Sequence, residues 1–222
     1  MKQKSFFSLV MFVLQILLAS FFLFKQTNAI KESVAGLSIV MFFSFWMSMV
    51  INLYLSYTSV DKQGKSDRDV IVLMTYGTWI VVMTIIMLLF VYYASIEDMD
   101  IQNELKIAGT VSFCSLIVLG FASIKGTTIR HPYIKGTLSS IFKSIPQLML
   151  IPIILNKGIA GWNEQAIWVG HITVNLRIVL ILSAIFKKKQ ASKEDMALLL
   201  SETANSISWI LFTVVYYSLK SK

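Results

Sequence analysis

Three ionisable residues stand inside apolar runs of this chain: Lys143, Arg177 and Glu202. A charged side chain near the centre of a membrane helix costs about 2.5–3.5 kcal/mol on insertion. Such residues persist where they pair with one another or face a ligand. At about 1.5 Å of rise per residue, their depths are close enough for Glu202 to pair with Arg177 or Lys143. Two readings follow. One is a buried ion pair that fixes helix packing, with the long basic stems reaching towards the membrane surface. The other is a substrate or proton site, with Glu202 as the titrating group and a cation as its counter-charge. The guanidinium of Arg177 matches a planar carboxylate or phosphate better than an ammonium would, which favours an anionic or zwitterionic solute.

Other polar residues in apolar runs extend the set. His171 and Asn175 share one helical face, so His171 is either a proton relay or a hydrogen-bonded packing residue. Asn205 and Trp209 share a face in the same way; an amide serves hydroxyl groups, and an indole offers a flat apolar face to a ring. Thr75 and Trp79 repeat that spacing earlier in the chain, and Asn52 is a further buried-grade polar residue. In Ser144–Leu155, SIPQLMLIPIIL, Pro146 and Pro152 remove backbone donors and leave carbonyls free. They predict a hinge, with Gln147 placed to satisfy the exposed backbone. No phosphate-binding glycine loop, nucleophile triad or pair of catalytic carboxylates is present. Cys114 is the lone cysteine and His131 lies beside Pro132 without a second ligand. Neither an enzyme, a metal nor a cofactor is expected.

The elements that must hold these residues are set by composition. Of 222 residues, 56% are hydrophobic and only 14% charged, with a mean hydropathy of +0.70. A soluble domain carries about 25% charged residues, so the expected class is an all-α integral membrane protein. Apolar runs of spanning length occur at Ser5–Phe24, Val34–Tyr57, Val70–Ala94, Lys106–Ile124, Gly136–Leu155, Glu164–Phe186 and Met196–Tyr217. The first run is too long for a signal peptide, and Lys25 falls where cleavage would lie; it is read as a retained helix. Net charge is +8. Twelve of the loop and terminal Lys and Arg residues lie on the side of the N-terminus and six on the other, where the acidic stretch Glu97, Asp98, Asp100 and Glu104 also falls. That bias predicts an inside N-terminus. The basic charge reads as membrane-facing, not as a nucleic-acid surface.

An internal repeat organises the runs. Ser33–Ser38, SVAGLS, and Gly158–Asn163, GIAGWN, both place Ala-Gly at the entrance to the next helix, offset by 125 residues; Asn52 and Arg177 share that offset. Thr75–Trp79, TYGTW, and Asn205–Trp209, NSISW, are offset by 130. Helix 4 has no counterpart. The predicted layout is two parallel three-helix bundles, residues 1–94 and 135–222, joined by a linker helix within residues 95–134. Parallel repeats of this kind place a substrate site at their interface near the midplane.

Pro146-Gln147 with the loop ending Ala160-Gly161-Trp162-Asn163 resembles the PQ-loop repeat, and the 3+1+3 layout is similar to that of the seven-helix SWEET-like transporter superfamily. The first copy departs from the motif, with Phe21-Phe22 where Pro-Gln would fall, and the charge bias opposes the family's usual orientation. The resemblance implies asparagine in the third helix of each repeat, with tryptophan, as pocket residues; Asn205 matches and Thr75 stands at the other copy. The function expected is transport of a small polar solute (sugar, amino acid or vitamin-like) by alternating access, in a bacterial plasma membrane, with any proton coupling through Glu202. The pocket would be lined by Asn52, Thr75, Trp79, Arg177, Glu202, Asn205 and Trp209. A seven-helix receptor that binds without moving its ligand is the alternative. The expected partners are the solute and the bilayer, with self-association left open.

Overall fold

A chain in hydrocarbon must satisfy its backbone donors and acceptors internally, and the apolar runs do so as α-helices. The structure, a computed structural model, describes residues 2–63, 67–94, 101–188 and 191–221. Glu97, Asp98 and Asp100 of the acidic stretch, with Lys65, Lys189 and Lys222, lie outside them. The described residues form α1 (Lys2–Glu32), α2 (Ile39–Gln63), α3 (Asp67–Tyr93), α4 (Ile101–Ile124), α5 (Pro132–Lys157), α6 (Glu164–Lys188) and α7 (Lys193–Lys220). All seven are long and apolar enough to cross a membrane. Large apolar side chains such as Leu17, Leu88, Leu116, Phe121 and Val214 point outward, as expected where the surrounding solvent is lipid.

Helix α3 packs against both α1 and α2, which do not pack on each other among the described residues; α7 packs in the same way against α5 and α6. Across the middle, α2 meets α5 and α7 while α6 meets α1 and α3. Each of these contacts has its counterpart when α1–α3 are exchanged with α5–α7. Helix α4 stands outside this pattern, against α5 and α2, with only Ile107, Val111 and Ala122 buried. The tightest seam is α5 on α7. At Gly136 an added Cβ would fall 2.7 Å from the Ala197 carbonyl oxygen and 2.8 Å from its Cβ, so the absence of a side chain lets the two backbones meet.

Two features differ from the sequence expectations. Helix α1 continues eight residues past Phe24 to Glu32, because its polar end is enclosed by protein: Gln26 is buried and its Nε2 donates to the Gly161 carbonyl at 2.8 Å. Helix α5 runs through Pro146 and Pro152 as one helical segment, and Gln147 bonds side chains of α7 instead of freed backbone carbonyls. Pro146 lies on the buried face against α7, while Pro152 is exposed.

The two loops matched at the 125-residue offset touch. Gly161 N–H donates to the Ala35 carbonyl at 2.9 Å, and Trp162 Nε1–H donates to the Gly36 carbonyl at 2.9 Å. Gly36 has φ +77°, and a Cβ there would fall 2.4 Å from the Gly158 carbonyl oxygen; one on Gly161 would fall 2.6 Å from the Ala35 oxygen. Only glycine accommodates this crossing of backbones.

Glu104 is a structural residue, not part of an acidic loop. It sits in the first turn of α4 and caps α2: Ser38 Oγ–H donates to Oε2 at 2.7 Å, Val40 N–H to Oε2 at 3.0 Å and Ile39 N–H to Oε1 at 3.1 Å. A carboxylate on otherwise unpartnered amide donors also complements the helix dipole. Glu104→Ala is therefore expected to cost about 1–2 kcal/mol, read as a lower thermal midpoint in detergent, with Glu104→Gln in between. Equal midpoints for all three proteins would remove the cap from the stability of α2.

Candidate functional site

Glu202 anchors a polar layer buried where the two helix trios meet. Its position on α7 follows from spacing: Leu198, Ser201, Glu202, Asn205, Ser208, Trp209 and Phe212 recur at three and four residues and form the buried face. On α5 the facing stripe is Gly136, Ser139, Lys143, Pro146, Gln147, Leu150 and Ile154. Lys143 Nζ donates to Glu202 Oε1, and Arg177 Nε donates to Oε2 at 3.1 Å from α6. Tyr76 Oη–H from α3 donates to Oε1 at 2.9 Å, and Asn52 Nδ2 from α2 donates to the same oxygen at 3.2 Å. Lys143, Glu202, Tyr76 and Asn52 are fully buried and Arg177 is 1% exposed.

The expected pairing of Glu202 with Arg177 or Lys143 is thus with both, and the carboxylate also takes donors from the first trio. Asn52 and Arg177, which coincide at the 125-residue offset, reach the two different oxygens of this one carboxylate. The remaining Asn52 hydrogen goes to Ser201 Oγ at 3.2 Å, leaving its Oδ1 without a partner. Ser139 Oγ–H donates to the Ser48 carbonyl at 3.2 Å, so in the 2.8 Å Ser139–Ser201 contact the donor is Ser201. One run of hydrogen bonds therefore ties α2, α5 and α7.

One turn further along α7, Gln147 Nε2 donates to Asn205 Oδ1 at 3.1 Å, and Ser208 Oγ–H donates to Gln147 Oε1. Beyond it lies an apolar cavity of about 20 Å³ whose walls include Phe22, Phe45, Met83, Trp162, Trp209 and Phe212, with Gln147 as its polar lining residue. Phe22 and Gln147, the residues at matched positions of the two copies, both face this cavity. Trp209 packs edge-on to Trp162 and Phe212, with ring centroids 6.1 and 5.7 Å away.

Three further predicted site residues are placed as follows. Thr75 is buried, but its hydroxyl donates to the Ile71 carbonyl of its own helix at 2.8 Å; its neighbour Tyr76 is the one that reaches Glu202. His171 bonds Thr213 at 2.8 Å and packs beside Trp168 and Trp209. Trp79 is buried under Arg177, whose Cζ lies 5.6 Å from its ring centroid, a cation–π distance. Among the described residues no group of three or more His, Cys, Asp or Glu could hold a metal ion.

The seven apolar helices and the polar layer enclosed among them define an integral membrane protein of the all-α class. Comparison with protein-family models, with curated proteins and with solved structures finds no match.

Proposed function

We propose that this chain is a transporter or facilitator of a small polar solute, working by alternating access between the α1–α3 and α5–α7 trios, with a PQ-loop, SWEET-like architecture. The observation that carries this reading is the Glu202 network, in which side chains of both trios converge on one buried carboxylate. A network held by hydrogen bonds across an interface can be exchanged for contacts to a solute, which an apolar seam cannot do. The paired contacts of the two trios and the crossing of the Gly36 and Gly161 loops support the repeat reading. The candidate solute contacts are Asn52, Tyr76, Trp79, Arg177 and Asn205, with the Gln147 layer leading to the cavity.

Protonation of Glu202 would remove the charge that holds Lys143 and Arg177 together, so any proton coupling is placed at this carboxylate. The test is counterflow in proteoliposomes holding the purified protein: saturable exchange of a solute, lost in the absence of protein, is expected. Saturable binding without flux would replace this reading by a seven-helix receptor. If uptake is pH-dependent, Glu202→Gln should abolish the dependence; an unchanged pH profile would take Glu202 out of the coupling.

A further inference from the structure

The buried layer holds two cations against one carboxylate. Lys143 and Arg177 face Glu202, and the other groups bonded to that carboxylate, Tyr76 and Asn52, are neutral. The formal charge of the layer is therefore one positive unit, enclosed in protein where water does not screen it. The surplus has a location. Arg177 uses Nε on Glu202, while its Nη1 is buried and has no hydrogen-bond partner. The neighbouring Trp79 indole Nε1–H is likewise buried and without a partner. Buried donors are nearly always satisfied, and a guanidinium that bonds through one edge presents its fork to a second acceptor.

The surroundings define what kind of acceptor fits. Trp79 stands edge-on to Phe22 at 5.2 Å between ring centroids, and Phe22 is a wall of the apolar cavity. From Arg177 through Trp79 and Phe22 the environment thus passes from cationic, to a single donor, to hydrocarbon. A sugar, with a hydroxyl on nearly every carbon, would leave most of them unbonded against such walls. We infer that the ligand of this site is a small organic monoanion, a carboxylate whose head bonds Arg177 Nη1 and Trp79 Nε1 and whose body is apolar and lies towards the Phe22 wall. One such charge neutralises the layer and satisfies two of its orphan donors. The inference rests on the solute-site reading above and narrows it to a substrate class. At its present size of about 20 Å³ the cavity does not admit such a body, so ligand entry requires its Phe22 and Trp209 walls to part and Trp79, behind Phe22, to become reachable.

The test uses purified full-length protein and isobutyrate and benzoate as probes, against their neutral amides, glucose, inorganic phosphate and chloride, in thermal-shift binding followed by counterflow. Saturable stabilisation by the carboxylates and not by the amides or glucose is expected. Arg177→Lys keeps the charge facing Glu202 but removes the fork, and should weaken carboxylate binding by about 10- to 100-fold. Trp79→Phe removes one donor while keeping an aromatic ring against Phe22, and should weaken carboxylate binding by about fivefold. Amides that bind as well as the acids, carboxylate affinity unchanged in both variants, or no response to either carboxylate would overturn the inference. So would an equal response to phosphate or chloride, which lack an apolar body. Exchange of a neutral solute with no response to carboxylates sinks the anion assignment and leaves transport standing. Carboxylate binding without counterflow sinks transport and leaves the anion site standing.

Discussion

Glu202→Gln is expected to lower the unfolding free energy by about 3–5 kcal/mol. Removing the carboxylate charge leaves Lys143 and Arg177 buried together with no counter-charge, while Tyr76 and Asn52 keep an amide oxygen in place of a carboxylate one. The desolvation of both cations then stands uncompensated, which is why breaking such a group costs more than making it contributes. The measurement is the midpoint of unfolding in a titration of mixed micelles with SDS. Lys143→Met in the Glu202→Gln background removes one of the two stranded cations and should recover part of the loss. A Glu202→Gln protein as stable as the wild type, or one made less stable by Lys143→Met, would show that the network does not hold the trios together.

Gly36→Ala is expected to cost about 2–5 kcal/mol. About 1–2 kcal/mol comes from a side chain in the left-handed region and about 1–3 kcal/mol from forcing a Cβ against a backbone oxygen 2.4 Å away. Gly126→Ala is the internal control. Its φ is +64°, close to that of Gly36, but an added Cβ there would meet nothing within 4 Å. Only the conformational part should then appear, so the two variants should differ by about 1–3 kcal/mol in the same SDS titration. Equal losses would mean that the loop crossing contributes nothing to stability beyond the turn geometry of each loop.

The legible part of the site was the part with a high cost of placement. Lys143, Arg177 and Glu202 stood out because charge within an apolar run must be answered by a partner, and their common depth made pairing an expectation. Tyr76 did not stand out. Tyrosine is an ordinary residue in membrane helices, and its partner lies 126 positions away. The four-residue spacing to Trp79 drew attention to Thr75 instead, whose hydroxyl is consumed by its own helix at the Ile71 carbonyl. A hydroxyl one turn from a carbonyl of its own helix has a local partner that sequence spacing does not reveal. His171 and Gln147 show the same limit: a polar residue in an apolar run is legible, but Thr213, Asn205 and Ser208 as partners depend on which helix lies opposite.

The sequence by itself determined the seven spanning helices and the buried charges, because both follow from how hydrocarbon treats a backbone and a charge. It also carried the matched offsets that pair Gly36 with Gly161 and Asn52 with Arg177. The continuation of α1 to Glu32 was decided elsewhere. Lys25 to Asn28 are polar and read as a loop, yet Gln26 is enclosed by the α5–α6 loop and bonded to it. Only the tertiary structure decided that the matched loops cross, that α4 lends Glu104 to cap α2, and that Asn52 and Tyr76 complete the shell of Glu202. The physical reason is common to all three. Hydropathy and charge act on a residue through its solvent, which composition describes, whereas a hydrogen bond or a close backbone approach depends on a partner from another helix, placed only once the helices have packed.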